Sequence, residues 1–117
     1  QGWAMGTEAG YTIVNARTIW DASNNAVGFC TDQNFADVVV LEHELKSYSI
    51  MFSMQDIVKL MGPSTAAYVQ MAGEIGTLEA GKLADIILLD GDPLEGYWNF
   101  LNTKVVVKGG IVVVDKR

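Results

Sequence analysis

A short apolar run between two turns constrains the fold of this chain more than any other stretch. Residues 79–82 have the composition of a tight turn, in which Gly81 is free to adopt a positive φ. Residues 84–89 follow as an apolar run with two adjacent isoleucines, and Asp-Gly-Asp-Pro at 90–93 closes it. The pattern predicts a β-strand buried on both faces, which ends before Pro93 because proline cannot donate a ladder hydrogen bond.

Two valine-rich runs at the end of the sequence predict a β-hairpin. Residues 104–108 and 111–115 are the two strands, and Gly109-Gly110 between them suits a two-residue turn with positive φ. Residues 94–99 contain two aromatic side chains and are predicted to form a short turn or edge segment. With the run at 84–89, these strands predict a small C-terminal sheet.

The region before residue 73 has helical spacing of its apolar residues. Residues 11–21 predict one amphipathic helix and residues 35–49 a second, with the apolar stripe of the second extending to Phe52. The apolar positions of the first are Ile13, Ala16, Ile19 and Trp20, and those of the second are Val38, Leu41, Leu45, Tyr48 and Phe52.

Two shorter helices are predicted next. Ser53 is a candidate N-cap for the first of them, Gly62-Pro63 is expected to stop it, and residues 64–71 are expected to form the other. The residues predicted to form the buried face of the first are Met54, Ile57, Val58 and Met61.

Between the first two helices lies a second candidate strand. Residues 23–25 predict a turn, and residues 26–30 form a short apolar run that predicts a buried strand ending at Thr31-Asp32. An aspartate in this position commonly closes a strand and caps the next turn, so a structural role for Asp32 is one interpretation.

The sequence at 75–94 resembles the C-terminal signature of metal-dependent amidohydrolases, in particular the imidazolonepropionase-like and prolidase-like branch. It reads Ile-Gly-x-Leu-x-x-Gly-Lys-x-Ala-Asp-Ile-Ile-Leu-Leu-Asp-Gly-Asp-Pro-Leu, and the Val-x-x-Gly-Gly-x-x-Val at 106–113 resembles the family's final hairpin. The likeness is strong over residues 54–117 and weaker over 10–40. It implies an α+β chain that is the C-terminal part of such an enzyme: one helix and a barrel-type strand, a three-helix cluster, and a small C-terminal sheet with a hairpin.

The resemblance also implies a domain division and a site residue. Residues 1–73 correspond to the mostly helical end of a (β/α)8 barrel, and residues 74–117 to C-terminal strands of a composite sandwich. Cys30-Thr31-Asp32 resembles the family's Gly-Thr-Asp triplet, with cysteine in place of glycine. The family aspartate binds a metal and takes a proton from the attacking water, which suits a carboxylate at a barrel strand's C-terminal end. On this interpretation Asp32 is both a catalytic residue and a metal ligand.

The other ligands that the family requires are not found in this sequence. A two-metal site of this type uses a His-x-His pair, usually a carboxylated lysine, and two further histidines, whereas His43 is the one histidine here. His43 lies about 200° around its helix from Leu41 and is expected to face solvent, and Glu42 with Lys46 is more simply a surface ion pair. No cofactor is therefore expected in this chain alone, although the full-length family binds a divalent metal of the zinc type.

Charge and cysteine content narrow the class of partner. The net charge is −6 and the eight basic residues are scattered, which argues against nucleic acid or an anionic membrane surface. The single Cys30 cannot form an intrachain disulfide and fits a reducing compartment. No run approaches the ~18 apolar residues of a membrane span, so a cytoplasmic location is expected.

Two functions remain open. In the first, the chain is the C-terminal portion of an amidohydrolase that acts on C–N bonds of non-peptide amides or dipeptides, and it is expected to be inactive alone. In the second, it is a stand-alone, non-catalytic module for binding or assembly. Because the strand at 26–30 would lack its parallel neighbours, a homo-oligomer, with exchanged elements as one form, is expected.

Overall fold

The computed structural model describes residues 8–23, 27–32 and 40–117. The start of the predicted helix at 35–49 and most of the predicted turn at 23–25 lie outside these ranges. The chain combines helices with a three-stranded antiparallel sheet, which confirms the α+β class. The helical elements are α1 (Glu8–Ala22), α2 (Val40–Tyr48), α3 (Met54–Lys59), a π-helical turn (Leu60–Ser64), α4 (Thr65–Tyr68) and a 3-10 turn (Tyr97–Leu101); the strands are β1 (Ile86–Leu89), β2 (Thr103–Lys108) and β3 (Ile111–Asp115).

The core forms where the helices meet the 3-10 turn. Leu45, Ile57 and Leu60 are fully buried at its centre, and aromatic rings surround them. The rings of Trp20 and Phe52 meet edge to face at 5.8 Å between centroids, an arrangement that adds to area burial. The other buried members of this core are Ile13, Tyr48 and Phe100.

Phe100 comes from the C-terminal half of the chain, so residues on both sides of position 73 share one core. The division into residues 1–73 and 74–117 stays a prediction. None of the helices in the described ranges has the length and apolar character needed to cross a bilayer.

Helix α3 begins where the sequence indicated. The Ser53 hydroxyl accepts a hydrogen bond from the Asp56 N–H at 3.1 Å, and the Asp56 carboxylate accepts one from the Ser53 N–H at 3.2 Å, which completes a capping box. The predicted burial of Val58 is wrong, because its neighbour Ile57 faces the core and adjacent helical residues point about 100° apart.

The chain does not leave the helical path at Gly62-Pro63, which corrects the prediction of a stop there. Residues Leu60–Ser64 form a wider π-helical turn, in which the Thr65 N–H reaches back to the Leu60 carbonyl. A wider turn accommodates a proline, which has no N–H to donate and crowds the preceding turn of an α-helix. Helix α4 is also shorter than the predicted 64–71, and Gln70 beyond it has a positive φ of 61°.

The three strands pair in the order β1-β2-β3. Gly109 and Gly110 have φ values of 56° and 82°, so the predicted hairpin turn is confirmed. The strand at β1 is confirmed, but its predicted burial on both faces is wrong, since Ile87 and Leu88 are 49% and 48% exposed. β1 is an edge strand, and no second layer among the described residues covers both of its faces.

Candidate functional site

Residues 27–32, which include Asp32, belong to no helix and no sheet. The prediction of a strand at 26–30 is therefore wrong for residues 27–30, because the described part of the chain places no strand beside them to complete a ladder. Side-chain packing holds the segment instead. Val27 and Phe29 are partly buried against the core, and the Phe29 ring lies 5.2 Å from that of Tyr48.

A hydrogen bond from α4 fixes the backbone of this segment. The Phe29 N–H donates to the Thr65 hydroxyl oxygen at 2.8 Å, and the Thr65 hydroxyl donates to the Leu60 carbonyl at 2.5 Å. The backbone also approaches α4 closely at Gly28, where an added Cβ would lie 3.3 Å from the Tyr68 ring. No sequence motif marks Thr65, which directly follows the π-helical turn.

Asp32 is exposed and has a positive φ of 46°. Aspartate tolerates this left-handed conformation better than most residues. The Asp32 N–H donates to the Cys30 sulfur at 3.4 Å. Asp32 thus presents a solvent-accessible carboxylate, although it does not close a strand, and its catalytic and metal-binding roles stay predictions.

Tyr48 of α2 flanks the same segment. Burial raises the pKa of the Tyr48 hydroxyl, and the nearby charges of Glu44 and Cys30 raise it further. Burial likewise raises the pKa of Glu44, which His43 partly offsets. Tyr48 is therefore protonated at neutral pH and available as a hydrogen-bond donor. His43 is exposed, as predicted.

The donor atoms around Asp32 do not form a metal centre. Within residues 8–23, 27–32 and 40–117, no three side chains of His, Cys, Asp or Glu lie close enough to hold an ion. A catalytic metal needs about three protein ligands and an open position. Asp32 can supply one carboxylate, so the residues described here do not fit a complete metal site.

Apart from Asp32, a concave surface lies beside the turn at 79–82. It is a groove of about 240 Å³ lined mainly by apolar side chains. The Lys82 side chain is only 13% exposed, and its ammonium group donates to the Thr77 hydroxyl at 2.5 Å and lies 3.3 Å from the Glu79 carboxylate. These polar groups satisfy one another, so Lys82 holds the turn together.

Comparison with known proteins shows one family over nearly the whole chain. The model of the amidohydrolase family matches residues 9–113. Among solved structures, a Xaa-Pro dipeptidase with bound methionine in the active site is similar at 22% identity and a TM-score of 0.74, over 87% of this chain and 25% of that one. No curated protein matches the chain.

Two further solved structures share the fold. An amidohydrolase is similar at 19% identity and a TM-score of 0.71, over 87% of this chain and 26% of its own. A prolidase complexed with N-methylphosphonate-L-proline is similar at 23% identity and a TM-score of 0.58, over 61% of this chain and 18% of its own. The chain therefore spans about a quarter or less of the length of these structures.

Proposed function

This chain belongs to the amidohydrolase family, and from that premise we propose that it is the C-terminal portion of a metal-dependent hydrolase of C–N bonds. The likeness in fold to a Xaa-Pro dipeptidase and to a prolidase supports dipeptides as the substrate class. The free Cys30 thiol supports a reducing, cytoplasmic location, and the net charge of −6 supports a small-molecule substrate rather than nucleic acid.

The observation that carries this proposal is the position of Asp32. Its carboxylate is accessible, and the hydrogen bond between Phe29 and Thr65 anchors residues 27–32 to the helices. An ionised carboxylate in this position can accept the proton of a water molecule that attacks the scissile carbonyl carbon. The proton can then pass to the departing amine nitrogen, which completes hydrolysis. The chain alone is proposed to be inactive, because no three His, Cys, Asp or Glu side chains among its described residues lie close enough to hold an ion.

The test is Asp32→Asn in a complete enzyme that contains this sequence. General acid–base catalysis is worth roughly 10²–10⁴ in rate, so kcat on a dipeptide ending in proline should fall by about that factor. Asp90→Asn is the matched control, since Asp90 is exposed and pairs with Lys104 at the sheet. Retention of kcat within about twofold in Asp32→Asn would refute the assignment.

Exposure of the sheet supports a second proposal, that this chain assembles with further copies of itself. Every residue of β3 is exposed, and Ile111 and Val113 are 70% and 57% accessible. An edge strand presents unpaired backbone groups, and one copy can pair with the same strand of another about a twofold axis.

Light scattering after gel filtration distinguishes this assembly role from a lone chain. The expected mass is that of a dimer, and Val113→Lys should return it to that of a monomer by placing a charge on the edge strand. Val58→Lys is the control, because Val58 is similarly apolar and partly exposed on α3. A monomer at about 100 µM chain would count against assembly, since stable dimers bind more tightly than this.

A further inference from the structure

Thr65 occupies an unusual position because of the π-helical turn before it. In an α-helix a threonine hydroxyl that bonds back to the backbone reaches the carbonyl four residues earlier. Here the Thr65 hydroxyl and its N–H both reach Leu60, five residues earlier. The widened turn rotates Thr65 relative to a regular helix, and π-helical turns often mark functional sites.

The bond to Leu60 also fixes the orientation of the hydroxyl. A hydroxyl has one hydrogen to donate and two lone pairs to accept. Since the hydrogen points to the Leu60 carbonyl, the lone pairs are free to accept the Phe29 N–H at 2.8 Å. Thr65 thereby connects the backbone of α4 to that of the segment at 27–32.

This contact lies close to Asp32 along the chain. Asp32 comes three positions after Phe29, which is at most roughly 10 Å along the chain, so fixing the Phe29 N–H limits where Asp32 can lie. Among the described residues, no other group outside the segment donates or accepts a backbone hydrogen bond with it. Packing of Val27 and Phe29 holds the segment against the core. Packing does not by itself fix the position of the segment along α4.

We propose that Thr65 is a positioning residue for Asp32: its hydroxyl, oriented by the π-helical turn, holds the segment that carries the carboxylate. This inference rests on the proposed catalytic role of Asp32. Thr65 acts on Asp32 through the Phe29 backbone.

The first test uses the 117-residue chain and nuclear magnetic resonance. Thr65→Val keeps the size of the side chain but removes the hydroxyl, and Thr65→Ser keeps the hydroxyl. Amide exchange at Phe29 should accelerate roughly tenfold in Thr65→Val, as for loss of one hydrogen bond, and the carboxyl carbon signal of Asp32 should shift. The Gly109 amide, which bonds to Asp85 in the hairpin, is the internal control and should not change.

Thr65→Ser should match the wild-type chain at both Phe29 and Asp32. The inference would be overturned if the Asp32 signal in Thr65→Val were unchanged while the Phe29 amide exchanged faster. It would also be overturned if the Thr65→Ser and Thr65→Val variants behaved alike. If Thr65→Val does not fold, the wild-type chain still tests the contact. Its Phe29 amide must exchange at least about tenfold more slowly than that of Gly28, for which the described residues offer no acceptor.

The second test uses the complete enzyme and separates the two proposals. Thr65→Val should lower kcat by roughly 10- to 100-fold with KM within about twofold, because misplacing a catalytic group by about 1 Å has an effect of this size. Thr65→Ser should restore the rate. If Asp32→Asn leaves kcat intact, the proposed function fails whatever Thr65 does. If Asp32→Asn abolishes turnover but Thr65→Val does not lower it, the positioning role alone fails.

Discussion

The guanidinium of Arg17 in α1 lies 3.1 Å from the carboxylate of Asp56 in α3. Arg17 also pairs with Asp21 at 2.9 Å and lies 5.4 Å from the centre of the Phe52 ring. Asp56 is the residue that completes the capping box with Ser53. The same carboxylate therefore begins one helix and ties it to another, which makes its ionisation matter for the fold.

Acid should destabilise the chain in part through Asp56. Burial alone would raise the pKa of this carboxyl, but hydrogen bonds from Ser53 and Arg17 outweigh it and lower the pKa. A carboxyl with a lower pKa in the folded state contributes stability above its unfolded pKa of about 3.9, and loses it as the pH falls through the folded value. Urea unfolding at pH 6 and near pH 3 measures this loss.

Asp56→Asn supplies the comparison for that measurement. The variant should be less stable at pH 6, and it should lose less of its remaining stability than the wild type on acidification. Equal losses in the two proteins would show that Asp56 ionisation does not contribute. Asp85 and Asp115 also have lowered pKa values and titrate in both proteins, so their effect cancels in the comparison.

The Ser53 cap should contribute measurably on its own. Ser53→Ala removes the acceptor of the Asp56 N–H, and loss of such a cap costs about 1 kcal/mol. Ser49→Ala is the matched control, because the exposed Ser49 hydroxyl donates to the Lys46 carbonyl at the other end of a helix. Chemical unfolding should show a change within about 0.5 kcal/mol for the control. A Ser53→Ala variant as stable as the control would contradict the capping assignment.

Local signals in the sequence were sufficient to predict those features whose structure depends on neighbouring residues. The glycine pair at 109–110 and the Ser53 cap were both predicted, because turn and cap geometry depend on a few adjacent residues. Features that depend on residues distant in the sequence were not predicted correctly. The burial of β1 and the strand at 26–30 both required a second layer or a partner strand, which the pattern of apolar residues cannot supply.

The residues of the candidate site show the same difference between local signals and distant contacts. Asp32 is predicted as a site residue because a short motif resembles the family's triplet, whereas Thr65 carries no motif. Its importance comes from the π-helical turn at Leu60–Ser64, which spacing rules for α-helices do not represent. A proline inside an apolar helical pattern was the available signal, and it was interpreted as a stop rather than as a widened turn.

Asp85 directly precedes β1, and its carboxylate should hold the hairpin of β2 and β3 to the start of β1. Its carboxylate accepts a hydrogen bond from the Gly109 N–H at 2.8 Å and from the Lys108 ammonium, and these bonds lower its pKa. The Gly109 amide resonance should therefore shift with pH around a midpoint below the ordinary aspartate value of about 3.9. Asp85→Asn should abolish this titration and speed exchange at Gly109. Lys108→Ala should raise the midpoint but keep the titration, and a midpoint unaffected by Lys108 would contradict the pairing.

Gly76 and Gly81 offer a matched pair that separates backbone strain from steric contact. Both have positive φ, at 94° and 93°, so alanine is strained at either position. An added Cβ at Gly81 meets nothing within 4 Å, whereas at Gly76 it would lie 2.6 Å from the Ala66 Cβ. Gly81→Ala should cost about 1–2 kcal/mol for the left-handed conformation alone.

Gly76→Ala should cost about 1–3 kcal/mol more than Gly81→Ala, because overpacking against α4 adds to the same strain. Urea unfolding of the two variants gives the difference directly. Ala66→Gly introduced into Gly76→Ala should recover part of it, since it removes the closest contact, while the Gly62 carbonyl at 3.1 Å remains. Equal costs for the two alanine variants would mean that the turn at 73–76 does not pack on α4 as closely as these distances require.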